Sequence, residues 1–165
     1  RHSAQTLLAP QEYDLKDFIM SVDEDVRGSF AESVQTLQGL VFILDDNIEL
    51  AKQEFQSVLE KTDNPMSKTS SQLYLLQIAL IEGDNKKAEE YASIRGVKSF
   101  LSIKTADMQV IQAWYQFKVK KDVVQTHKAM KIARQKMNSS RMLRDEKRYY
   151  ENWLAELEKE LTEGV

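Results

Sequence analysis

The chain contains no cysteine. Disulfides, thiolate metal sites and cysteine nucleophiles are therefore excluded together. The compartment stays open between cytosol and periplasm, with the cytoplasm the favoured expectation. Proline is nearly absent, at two residues, and glycine is scarce, at five. All-β proteins spend those residues on turns, so their scarcity weighs against strands. Histidine occurs twice, at His2 and His127, and a lone histidine without a second ligand builds no metal site. Long apolar runs are missing too. Residues 40–44 and 73–81, the second interrupted by Gln77, fall well short of the roughly 20 residues that cross a bilayer, and no membrane insertion is expected.

What is present favours helices: Leu, Ala, Glu, Lys and Gln are abundant. The 165 residues fit one domain over residues 10–165, preceded by a tail or linker over 1–9. The chain begins at Arg1 rather than at a methionine, which reads as a fragment of a longer protein or a trimmed chain. Pro10 suits the first turn of a helix over 10–27, where Tyr13, Phe18, Val22 and Val26 share a face before Gly28. Phe30, Val34, Leu37, Val41 and Leu44 recur at three- and four-residue steps, predicting a second helix over 30–44. A third follows over 48–61 and stops at Thr62-Asp63-Asn64-Pro65. The pattern then predicts a helix over 71–82, a tight turn at Gly83-Asp84-Asn85, and a shorter helix over 86–94 that Gly96 ends. Residues 97–103 promise one short turn at most. Thr105 reads as an N-cap for a helix carrying Met108, Ile111, Trp114, Tyr115 and Val119. After a break near Lys121-Asp122 comes a helix over 123–137, closed by Asn138-Ser139-Ser140, and a last helix over 141–161. Short links make these antiparallel neighbours.

Three hairpins, over 31–65, 69–96 and 105–140, align on their turns. In the first, Phe42 follows Gly39 by three residues, Phe55 follows Ala51 by four, and Pro65 closes the unit. This arrangement resembles the tetratricopeptide repeat, in which a small residue and an aromatic on one helix meet Ala and an aromatic on the next. Gly83 and Ala88 keep the pattern in the second hairpin, where Leu76 and Ala92 replace the expected small and aromatic residues. The third keeps Phe117 and Ala133 but has Trp114 and Thr126 at the small positions. Ala51, Ala88 and Thr126 are spaced by 37 and 38 residues, against a family period of roughly 34. The resemblance implies an all-α fold of antiparallel hairpins stacked as a short solenoid, with the helix over 141–161 as its cap.

It also implies a concave groove lined by Thr36, Leu40, Leu73, Gln77, Ile111, Tyr115 and Lys118, suited to an apolar or amphipathic segment. The basic and amide residues with which the family clamps a C-terminal carboxylate are replaced by Thr36 and Leu40. A competing reading makes the same apolar residues core, with the N-terminal helix filling the groove. An incomplete stack with an apolar groove also fits self-association into a homo-oligomer.

Charge is unevenly spread. Residues 11–65 carry thirteen acids and four bases, a balance of −9, while 118–148 carry eleven Lys or Arg and three acids, a balance of +8. Lys121, Lys128, Lys131, Arg134, Arg141 and Arg144 make the core of a basic surface that fits an acidic partner or, less well in a chain of net charge −3, nucleic acid. No motif points to catalysis. Asp23, Asp25 and Gly28 echo a calcium loop, but Arg27 and Val34 stand where ligands belong. The glycines form no phosphate-cradling loop, and His127 is followed by Lys128-Ala129-Met130 without the glycine that phosphotransfer helices present. The expectation is a non-enzymatic scaffold or regulatory domain without cofactor. Its partner would be another protein, a peptide, or another domain of its own chain. A phosphotransfer or nucleic-acid-binding helical domain using residues 118–148 is the alternative.

Overall fold

The computed structural model describes residues 15–21 and 31–163. The expected tail, the 10–14 and 22–27 parts of the first helix, Phe30, His2 and the Asp23–Gly28 region lie outside the described residues. Among the described residues the fold is wholly helical, without strands. The elements are α1 (Leu15–Ser21), α2 (Ala31–Leu44), α3 (Ile48–Lys61), α4 (Pro65–Glu82), α5 (Asn85–Ala92), α6 (Arg95–Leu101) and α7 (Ala106–Tyr115). A π-helical turn over Gln116–Lys120, then α8 (Val123–Met137) and α9 (Arg144–Glu163) complete them. The chain divides into two compact units: residues 1–78 with 141–145, and residues 79–140 with 146–165.

In the first unit α3 folds back on α2. The helices approach closely because Gly39 has no side chain: a Cβ there would lie 2.5 Å from two ring carbons of Phe55. The Phe55 ring is itself fully buried and stacks on Tyr74, with centroids 4.9 Å apart and planes 5° from parallel. α1 packs on α2, burying Leu15 and Ile19. The Leu15 N–H, an orphan donor of that helix's first turn, donates to both carboxylate oxygens of Asp145 at 3.0 Å. Lys16 pairs with Asp45 at 2.9 Å.

α4 begins six residues before the expected start at 71. The stop signal at 62–65 is also a start signal: the Asn64 side chain accepts from the Met66 N–H at 2.8 Å, and Pro65 occupies the first helical position, where no N–H is needed. A second difference lies in the second unit. Gly96 does not end α5; the break falls at Ser93 and the extended Ile94 (φ −65°, ψ 130°). Gly96 instead sits in the first turn of α6. Val97 and Leu101, four apart and both buried, explain that helix: burial of one apolar face outweighs the weak helix propensity of Gly.

Three turns share one backbone design. Asp46, Gly83 and Lys121 have φ of +60°, +73° and +58°, and are the described residues in the left-handed region. Each ends a helix, and each is followed by Asn47, Asp84 or Asp122 at the start of the next. In the first two turns the chain closes by the paired bonds of a Schellman motif: Asn47 N–H to the Phe42 carbonyl (2.7 Å) with Asp46 N–H to Ile43, and Asp84 N–H to Ala79 (2.9 Å) with Gly83 N–H to Leu80. In the third, both Lys121 and Asp122 N–H groups reach the Gln116 carbonyl, because the preceding π turn holds one residue more than an α turn. Asp84 and Asp122 then cap α5 and α8 by accepting from Lys87 and Gln125 N–H at 3.1 and 3.0 Å. Four residues after each cap position stands a fully buried small residue: Ala51, Ala88 and Thr126.

Candidate interaction surface

The resemblance implied a groove lined by seven residues. Thr36, Leu40, Leu73 and Gln77 belong to the first unit, and Ile111, Tyr115 and Lys118 to the second. Six of them are 0–8% exposed. Thr36 donates its hydroxyl to its own helix, at Glu32 O, 2.8 Å. Three- and four-residue spacing marks the face a helix buries, and a neighbouring helix can occupy that face as readily as a ligand. At these positions the competing reading, core, describes the side chains. Lys118 alone stays part-exposed, its Nζ 5.3 Å from the Trp114 ring centroid, 5.5 Å from that of Phe117, and ion-paired with Glu160.

Of the basic-surface residues, Arg141 and Arg144 belong to the first unit and the other four to the second. There glutamates of α9 and α5 neutralise three cations of the third hairpin. Arg134 donates through Nε (3.0 Å) and Nη2 (2.6 Å) to Glu158, Lys118 pairs with Glu160, and Lys120 approaches Glu89 at 3.7 Å. The Trp114 indole N–H donates to the Trp153 carbonyl at 2.9 Å, and the two rings meet edge to face at 5.4 Å. Lys121 is exposed at its turn. Lys128 and Lys131 are exposed on α8 and have no carboxylate partner among the described residues.

Those two lysines line a cleft of about 610 Å³ among α6, α7 and α8. Lys104, just beyond α6, is a third lysine on its rim, likewise exposed and unpaired. The remaining polar wall is glutamine. Gln109 and Gln112 on α7 and Gln116 at the start of the π turn follow at steps of three and four, and Gln125 and Gln135 flank the lysines on α8. Ala129 and Ile132 supply apolar floor, and among the described residues no Asp or Glu lines the cleft. These glutamines are held in place: buried Gln109 donates to the Ile103 carbonyl at 2.9 Å, Gln112 to Leu101 at 3.3 Å, and Gln116 to the Gln112 side chain at 3.2 Å. Gln109 and Gln112 satisfy carbonyls left over where α6 ends. The sequence did carry a signal, a row of amides at helical spacing on an otherwise apolar helix, but the facing lysines are linked to it only by the hairpin.

Other clefts lie in the second unit as well. One of about 390 Å³ is walled by Leu80, Ile81, Trp114 and Trp153. Another, of about 400 Å³, has exposed His127 at its edge beside Phe117, Met130 and Arg134, with Glu158 and Glu160 also lining it. Among the described residues no group of three or more His, Asp or Glu side chains could hold a metal ion, and no helix is long and apolar enough to cross a membrane. No family model, curated protein or solved structure matches the chain.

Proposed function

We propose that the chain is a non-enzymatic protein-interaction module, a short stack of tetratricopeptide-like hairpins closed by its last helix. It binds a segment of another protein, or of another domain of its own chain, in the cleft among α6, α7 and α8. Support for the repeat comes from the three turns, each with a left-handed residue, a polar start residue and a buried small residue four positions on. The spacing of 37 then 38 residues between them has a physical counterpart, since the π turn before Lys121 takes up one extra residue. The observation that carries the function is the cleft, a concave wall of pre-positioned amides and unpaired ammonium groups over an apolar floor. Amides donate and accept together, which matches a peptide backbone, and Ile132 with Ala129 offers purchase to an amphipathic segment.

The alternative, a phosphotransfer or nucleic-acid-binding domain on the basic surface, has less in its favour. Ion pairs to α9 and α5 occupy Lys118, Lys120 and Arg134, and two carboxylates flank the cleft beside His127, where they would repel a phosphoryl donor. The test is selection of binders from a displayed random-peptide library, followed by amide hydrogen exchange of the chain with and without an enriched peptide. Added protection over α7 and α8 is expected. Failure to enrich any peptide, or protection confined to other helices, would overturn the reading.

A further inference from the structure

We infer that the cleft among α6, α7 and α8 is selective for acidic peptide segments, with Lys104, Lys128 and Lys131 reading carboxylates and Gln112, Gln125 and Gln135 meeting the peptide backbone. This rests on the peptide-binding reading above and names the chemistry of the partner.

The first ground is the contrast among the cations of the second unit. Where a lysine or arginine of the third hairpin faces α9 or α5, a glutamate answers it: Glu160 for Lys118, Glu158 for Arg134, Glu89 for Lys120. Within the cleft nothing answers. Three exposed ammonium groups share a wall with no carboxylate, in a chain whose acids outnumber its bases 26 to 23. Like charges gathered without counter-charge cost the free protein stability and are relieved by an anionic ligand.

The second ground is spacing. Lys128 and Lys131 are one helical turn apart, so their ammonium groups serve neighbouring carboxylates along one line. Lys104 lines the same cleft and adds a third ammonium group to its field. A single phosphate or other small anion would leave most of a 610 Å³ cleft unfilled.

The third ground is what the cleft lacks. Tolerant binding of single-stranded nucleic acid uses aromatic platforms on which bases stack, and no Phe, Tyr or Trp lines this cleft. Side-chain amides, in contrast, pair with the N–H and C=O groups of an extended peptide. Peptide carboxylates are thus favoured over nucleic-acid phosphates.

The experiment is fluorescence anisotropy with the whole chain at near-physiological salt. The probes are a labelled Glu-Ser repeat peptide, its Gln-Ser counterpart and an oligothymidylate. The Glu-Ser peptide is expected to bind saturably, and the double variant Lys128→Glu/Lys131→Glu to weaken it by about ten-fold or more. The control Lys121→Glu/Lys136→Glu makes the same charge change on residues that do not line the cleft. With screening over about 8 Å it should shift binding by no more than about two-fold. All four positions are exposed, so both variants should keep the helical circular dichroism of the parent. Equal damage from both variants would reduce the effect to general charge attraction and overturn the proposal. Tighter binding of the oligothymidylate, or no binding of the Glu-Ser peptide, would overturn it as well. Equal binding of the Gln-Ser peptide would sink acid selectivity while leaving peptide binding standing. The library selection tests peptide binding separately: non-acidic binders that protect the cleft would refute only the inference drawn here.

Discussion

Gly39 and Phe55 carry the close approach of α2 and α3. The ring that a Cβ would strike is buried and stacked on Tyr74, so it has no free direction in which to move. Gly39→Ala would raise helix propensity, yet overpacking decides the sign. We expect a net loss of about 1–3 kcal/mol, measured as a lower midpoint in urea unfolding. Leu40, wholly buried beside it, is a core residue, and charged substitutions there or at Tyr115 would test folding rather than binding. Tyr149 makes a different residue-scale prediction. Burial pushes its phenol well above the ordinary 10.0, opposed in part by a hydrogen bond with Trp153. The folded state therefore holds the phenol proton more tightly than the unfolded state. The resulting stability is fully present below pH 10.0 and is lost as pH rises through and beyond it. Thermal melts across that range should show a falling Tm, and Tyr149→Phe should flatten the fall. An unchanged slope in the variant would contradict this assignment.

At the scale of the element, the three turns govern where helices stop. A left-handed residue is nearly free for glycine and strained for other residues, by about 1 kcal/mol or somewhat more. Nothing lies within 4 Å of a Cβ built on Gly83, so only conformation opposes a side chain there. Lys121→Gly should stabilise the chain by about 0.5–1 kcal/mol, and Gly83→Ala should destabilise it by about 1 kcal/mol. Opposite shifts in Tm are the expected outcome; shifts of the same sign would show that the turns are not equivalent. The helices themselves were well foreshadowed. α3 and α8 begin and end where spacing and turn residues placed them, since polar side chains that bond their own backbone act locally. α6 was foreshadowed only as one short turn over 97–103. A seven-residue helix with glycine in its first turn has little propensity to display, and burial of Val97 and Leu101 creates it.

For the whole molecule, charge is arranged rather than merely balanced. The acids of α9 pair with cations of the third hairpin in the second unit. The same pairing removes Lys118 and Arg134 from the free basic surface and leaves Lys128 and Lys131 among its unpaired cations, joined in one cleft by Lys104. Lys104 was not among the candidate residues, because it sits outside the basic run and joins it only in the folded chain. The proposed groove fared differently from the helices. Its residues were placed by the resemblance to a repeat family, and a repeat pattern identifies a helix face without saying what covers it.

What the sequence determined by itself was local. It determined the helical class, most helix ends, and the recurrence of a polar start residue four positions before a small one. These follow from interactions within a few residues of one another: propensity, caps and left-handed turns. Only the tertiary structure decided which apolar faces became core, which cations found carboxylates, and that three lysines and a row of glutamines share one cleft. Those outcomes depend on side chains far apart in the chain meeting in space, and no periodicity in a single segment records its partner.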